Sequence, residues 1–143
     1  DMMWLGSDFD RDEMFSAVVG AGAWLNGSMI QVQPAPPDRA VLCTGFPAAT
    51  DFAPAVLSRF VEQIQQFRKI RLLGSAALSL AYVAAGRAHA YFERDVRIWD
   101  VAGGLTLVRA AGGEFVRTPS PVPYALTVYA HSGACPWPEP TFA

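Results

Sequence analysis

Cysteine is scarce in this chain of 143 residues. Cys43 and Cys135 stand far apart and fit neither a CxxC metal site nor a disulfide framework. A reducing, cytoplasmic setting is therefore the default expectation. Charge is sparse as well, at 17%, and of neither sign in excess: 11 Lys and Arg face 13 Asp and Glu, for a net −2. Nucleic-acid binders carry a basic surplus, so that class is not expected. Long apolar runs are also lacking. A membrane span needs about 20 apolar residues, and stretches such as Leu72–Gly86 reach only about 15 while carrying Gly and Ser. The opening residues do not read as a secretory signal. The chain begins with Asp1 and is at once dense in apolar residues, which leads us to expect a piece of something longer.

What is plentiful is core material. Apolar residues make up 52%, and the length suits one ordinary domain, so general disorder is excluded. Two short β-prone runs, Met14–Val19 and Ala23–Leu25, are divided by Gly20 and Gly22, with Asn26-Gly27 beyond, and read as hairpin chemistry. Pro34, Pro36 and Pro37 form a linker, because proline has no N–H to give to a ladder. We expect a boundary there, with residues 1–38 as hairpin and linker and residues 39–143 as an α/β domain. From Arg39 on, strand and helix signals alternate. Strands are expected at 40–44, 69–73, 88–93, 114–117 and 125–130, and helices at 54–67, 75–85 and 100–111. Val56, Leu57, Phe60, Val61, Ile64 and Phe67 give the first helix one apolar face. The second is apolar nearly all round, with Ser75 as N-cap and Gly86 as stop. The pattern predicts an α/β fold with a layered, partly parallel sheet and flanking helices. The Pro-rich tail (Pro136, Pro138, Pro140) is expected to be loose.

Ligands of open α/β sheets bind at the carboxyl ends of strands, where helix N-termini point. Two corners stand out. At Gly74-Ser75-Ala76 a strand passes into a helix, giving close backbone approach and free N–H groups; a plain Ser cap explains the same residues. At the second, a strand ends in Glu93 and Trp99-Asp100 opens the next helix. Asp100 is either an N-cap or a carboxylate for a cation. Glu93 is a solvated strand end or a polar contact, and Trp99 reads as a core anchor. Asp8, Asp10 and Asp12 have the spacing of an EF-hand start, but Glu13 and Val19 stand where that loop needs Gly and Glu. His89 and His131 lack the partners of a zinc site. No GxSxG elbow supports a hydrolase triad, and Gly20-x-Gly22 is no dinucleotide fingerprint.

Taken together, Ile70–Gly113 (IRLLGSAALSLAYVAAGRAHAYFERDVRIWDVAGGLTLVRAAGG) closely resembles the C-terminal half of the inositol monophosphatase family, the magnesium-dependent, lithium-sensitive phosphatases. The GSAA turn, the helix ending in VAxG, the aromatic strand ending in Glu, WDxAxG and the AGG after the third helix follow the family's order. Asp12–Gly27 (DEMFSAVVGAGAWLNG) resembles the hairpin that precedes that half. The resemblance implies that Asp100 binds a magnesium ion, that Gly74, Ser75 and Ala76 contact hydroxyls of the substrate, and that Glu93 accepts from a substrate hydroxyl. It implies a phosphorylated small molecule, an inositol or sugar phosphate, as substrate, Mg²⁺ as cofactor, and a homodimer. Two departures are visible: His89 replaces a usual Asp, which bears on substrate choice, and Ala110 replaces a usual Glu. The family's N-terminal Gly-Glu-Glu and Asp-Pro-(Ile/Leu)-Asp-Gly-Thr segments, which supply most metal ligands, have no counterpart here. The expectation is a substrate-facing wall without its metal cradle, inactive alone. The alternative is a truncated, non-catalytic module that oligomerises or binds a partner.

Overall fold

A computed structural model describes residues 3–8, 10–47 and 50–135. Its first quarter is an antiparallel meander of β1 (Met3–Asp8), β2 (Glu13–Val18), β3 (Gly22–Leu25) and β4 (Ser28–Ile30), paired in that order. Asn26 and Gly27 both take positive φ, as a two-residue hairpin turn requires, and Asn26 Oδ1 accepts from Met14 N at 2.8 Å. The expected hairpin is thus two strands short. The acidic run closes β1 and opens β2, with a turn at residues 10–12 between them.

A second sheet follows. It is built from β5 (Val41–Thr44), β6 (Lys69–Arg71), β7 (Ala90–Arg97), β8 (Glu114–Pro119) and β9 (Ala125–His131), in the order β6-β5-β7-β9-β8. The pairs β5–β6 and β5–β7 are parallel, and β7–β9 and β8–β9 are antiparallel. The expected partly parallel α/β sheet is therefore what forms. Three helices connect its strands: α1 (Pro54–Ile64), α2 (Ala76–Ala84) and α3 (Ile98–Ala110).

The layering follows from which faces are apolar. Phe15, Ala17 and Ala23 of the meander, Leu80 and Val83 of α2, Val101, Leu105 and Val108 of α3, and Cys43, Tyr91, Val128 and Ala130 of the second sheet share one buried cluster. Helices α2 and α3 are thus enclosed between the two sheets. They pack closely at Gly104, where a Cβ would fall 2.6 Å from Leu80 Cβ. Arg87 donates to both carboxylate oxygens of Glu13, at 2.7 and 2.6 Å, tying the loop after α2 to the meander. The other face of the second sheet carries a smaller cluster of Leu42, Phe67, Ala90, Phe92 and Tyr129, with Ile64 of α1 at its edge. Helix α1 has the expected amphipathic pattern, yet none of its residues is buried.

Several expectations change. The meander packs into the main core through Phe15, Ala17 and Ala23. Strand alternation divides the apolar residues of the meander: Phe15, Leu25 and Ile30 face the helices, whereas Val18 and Trp24 do not belong to that cluster. Trp99 is 66% exposed rather than a core anchor, beside Tyr124 and under Arg97. Helix α3 starts at Ile98 with Arg97 in the N-cap position, so Asp100 is not a cap. The tail beyond Cys135 lies outside the described residues.

Candidate active site

The parallel strands β5, β6 and β7 run in one direction, and their carboxyl ends open onto the starts of α2 and α3. The local sequence builds both helix starts. Gly74 takes φ +75, a conformation that a side chain would strain, and Ser75 then caps α2 by accepting from Leu78 N at 3.2 Å. Ser79 Oγ donates to Ser75 O at 2.8 Å and completes the turn. Helix α3 begins directly at the end of β7, and Asp100 sits in its first turn, where a carboxylate is favoured by the helix dipole.

Strand β7 reaches this corner through an irregularity. Its register with β9 shifts between Glu93 and Val96, and Asp95 adopts φ +55 there, with its Oδ1 accepting from Ser120 Oγ. A bulge of this kind re-aims side chains. Both Glu93 and Val96 consequently face the same cavity.

That cavity has a volume of about 310 Å³, and Gly74, Ser75, Ala76, Glu93 and Asp100 all line it. The five positions singled out from sequence are thus brought together. Sequence reading missed Thr44, Phe46, Ala77, Ser79 and Val96, which complete the lining. Thr44 carried a usable signal, as the last residue of a parallel strand. Its hydroxyl donates to Phe92 O at 2.6 Å and serves the sheet rather than the cavity.

The electrostatics centre on two carboxylates. Glu93 is half-buried, and its carboxyl is pushed above the usual range, first by burial and then by the charge of Asp100, while the hydrogen bond from Tyr91 works against that rise. Asp100 is exposed at the mouth. The pair can accept hydrogen bonds from ligand hydroxyls, and the first N–H groups of α2 can donate to oxygen atoms.

A resident Mg²⁺ does not fit this donor set alone. Magnesium demands near-octahedral oxygen ligation, and among the described residues no three His, Cys, Asp or Glu side chains form a group able to hold a metal. Asp100 can supply one corner of such a site.

His89 lies away from the cavity. Its Nδ1 accepts from Val41 N at 3.0 Å, at the end of β5 opposite Thr44, and burial pushes its pKa down. The residue fastens two strand starts, so the departure noted there does not touch the lining.

The fold and cavity define an α/β protein whose cavity is lined by two carboxylates and the start of a helix. The chain belongs to the inositol monophosphatase family, whose model matches residues 9–136. Phosphatase chemistry on phosphorylated small molecules is the character of that family. The chain is 49% identical to the Nus factor SuhB of Xylella fastidiosa over 105 residues, 72% of this chain and 38% of that protein. For the Nus factor SuhB of Escherichia coli K12 the identity is 44% over 105 residues, 72% of this chain and 39% of that protein. A solved inositol monophosphatase from Anabaena sp. PCC 7120 superposes with a TM-score of 0.76 at 32% identity, covering 92% of this chain and 56% of that one. The chain thus matches less than two fifths of the length of these curated relatives.

Proposed function

We propose that this chain is the substrate-facing part of a phosphoric monoester hydrolase acting on an inositol or sugar phosphate. The observation that carries the reading is the single cavity in which Gly74, Ser75, Ala76, Glu93 and Asp100 meet. In this reading Glu93 accepts from a hydroxyl of the alcohol portion, and the start of α2 donates to its oxygens. Asp100 supplies one ligand to a Mg²⁺ whose remaining ligands come from outside this chain. When bound, such an ion polarises a phosphate ester and lowers the pKa of water. The working protein is cytoplasmic and a homodimer in this reading, and residues 39–143 form its substrate-facing lobe.

The test is hydrolysis of myo-inositol 1-phosphate with Mg²⁺ in excess. The chain alone is expected to show little or no turnover. A rate within the common enzyme range of ~1–10³ s⁻¹, abolished by Asp100→Asn, would contradict the reading. In a longer version carrying both halves, Asp100→Ala should remove most activity and keep the fold.

A partner-binding module is the second reading. Exposed Phe46, Phe52, Val56 and Val61 around α1 favour it, and the curated relatives bear the name Nus factor. Light scattering on the purified chain separates a self-associating module from a monomer.

A further inference from the structure

Tyr91 is fully buried in the main cluster between the sheets, where phenylalanine would pack as well. A buried hydroxyl without a partner is costly, so its hydrogen bond has to be accounted for. Tyr91 Oη donates to Glu93 Oε2 at 2.6 Å. The two residues are two positions apart on β7 and share a face. A second contact acts on the same carboxylate. A Cβ placed on Gly45 would lie 3.1 Å from Glu93 Oε2, 3.2 Å from Cδ and 3.3 Å from Oε1, so the carboxylate rests against bare backbone. Gly45 does not need its glycine for φ, which leaves this close approach as the reason for it. Oε1 has no hydrogen-bond donor among the described residues, and Glu93 lines the cavity.

We infer that Tyr91 is a positioning residue: its hydroxyl, with the Gly45 backbone, fixes the Glu93 carboxylate so that Oε1 is held out to a ligand hydroxyl. A glutamate side chain has three rotatable bonds, and Asp100 repels its charge from within the same cavity. Without two anchors the carboxylate would turn outward to water. The inference rests on the reading of Glu93 as a ligand contact, but its geometric content can be tested separately.

Crystal structures of the chain, Tyr91→Phe and Gly45→Ala decide the geometry, and melting curves establish that each variant folds. The Glu93 carboxylate is expected to leave its place in both variants; a carboxylate that superposes on the parent in Tyr91→Phe overturns the inference. Calorimetric titration with myo-inositol 1-phosphate and with inorganic phosphate follows. Tyr91→Phe should weaken the inositol ester about tenfold, the scale of one charge-assisted hydrogen bond, and leave inorganic phosphate unchanged. Added to Glu93→Gln, it should do nothing further, because the two residues act as one unit. Full additivity would overturn the inference. If Glu93→Gln alone leaves binding of the ester unchanged, the proposed ligand role of Glu93 fails, while the position of the carboxylate in Tyr91→Phe still decides the role of Tyr91.

Discussion

Helices α1 and α2 are similar in length, at 11 and 9 residues, and meet opposite surroundings. By the usual rule of patterning, α1 is the better surface helix: one face apolar, one polar, proline in its first turn. Yet α1 buries no residue, whereas five of the nine residues of α2 are buried. The difference lies in what each helix finds opposite it. α2 is enclosed between two sheets and packs against α3, so an apolar surface all round is what its position requires. α1 lies on the outer face of the second sheet, and only Ile64 at its end joins a buried cluster. Patterning tells which face of a helix wants cover; the number of layers around it decides whether cover arrives.

The comparison can be broken most sharply in α2. Leu80 is fully buried and fills the notch at Gly104. Leu80→Ala should lower stability by about 2–5 kcal/mol, read from denaturant unfolding of the chain. An effect below about 1 kcal/mol would mean that the sandwich is looser than described. Ser75→Ala removes the cap of α2 and should cost about 1 kcal/mol in the same assay. The Arg87–Glu13 pair should contribute less, because Arg87 is partly exposed. Arg87 holds the Glu13 carboxyl below its ordinary value, so the gain is present at neutral pH and fades as pH falls through that lowered value. Unfolding curves of Glu13→Gln and parent should therefore converge in acid. In α1, Val61→Ala should stay within about 0.5 kcal/mol, as for an exposed site. A loss several times larger would show that α1 is covered in solution, and its concentration dependence would identify a second copy.

Glu93 offers a separate sign test. Its raised pKa means that the folded chain binds the proton more tightly, so stability falls as pH rises from the ordinary carboxylate range through the raised value. Glu93→Gln should flatten that slope and leave neutral-pH stability equal or higher.

Much of this architecture was legible in the sequence, for identifiable reasons. Ser75 and Gly74 announced the start of α2 because capping is local chemistry. The same holds for Asn26-Gly27 in the meander. The boundaries of β7 and α3 differ from those expected because a strand running into a helix without a loop leaves no punctuation between them. Glu93-Arg94-Asp95 reads as a polar strand end, yet the chain continues in the ladder to Arg97. Trp99 reads as a core anchor in the sequence, and only the layering shows that its helix turn faces outward. Asp100 and Glu93 stand out by their place at a strand end and a helix start, and family resemblance adds the ligand roles, whereas Thr44, Val96 and the bond from Tyr91 require three-dimensional placement.

The irregularity in β7 also has a bearing on how such strands are compared. A regular strand is a two-letter alternation, and two residues three positions apart always point to opposite sides. The slip at Arg94-Asp95 reverses the phase, so Glu93 and Val96 fall on one side of a strand that nominally forbids it. Deleting either residue of the slip would restore the beat, two steps on β7 against two on β9, and keep Glu93 and Val96 on one side. A gap of one placed here in an alignment therefore leaves the cavity-facing residues in phase, whereas a gap of two turns one of them to the other side of the sheet.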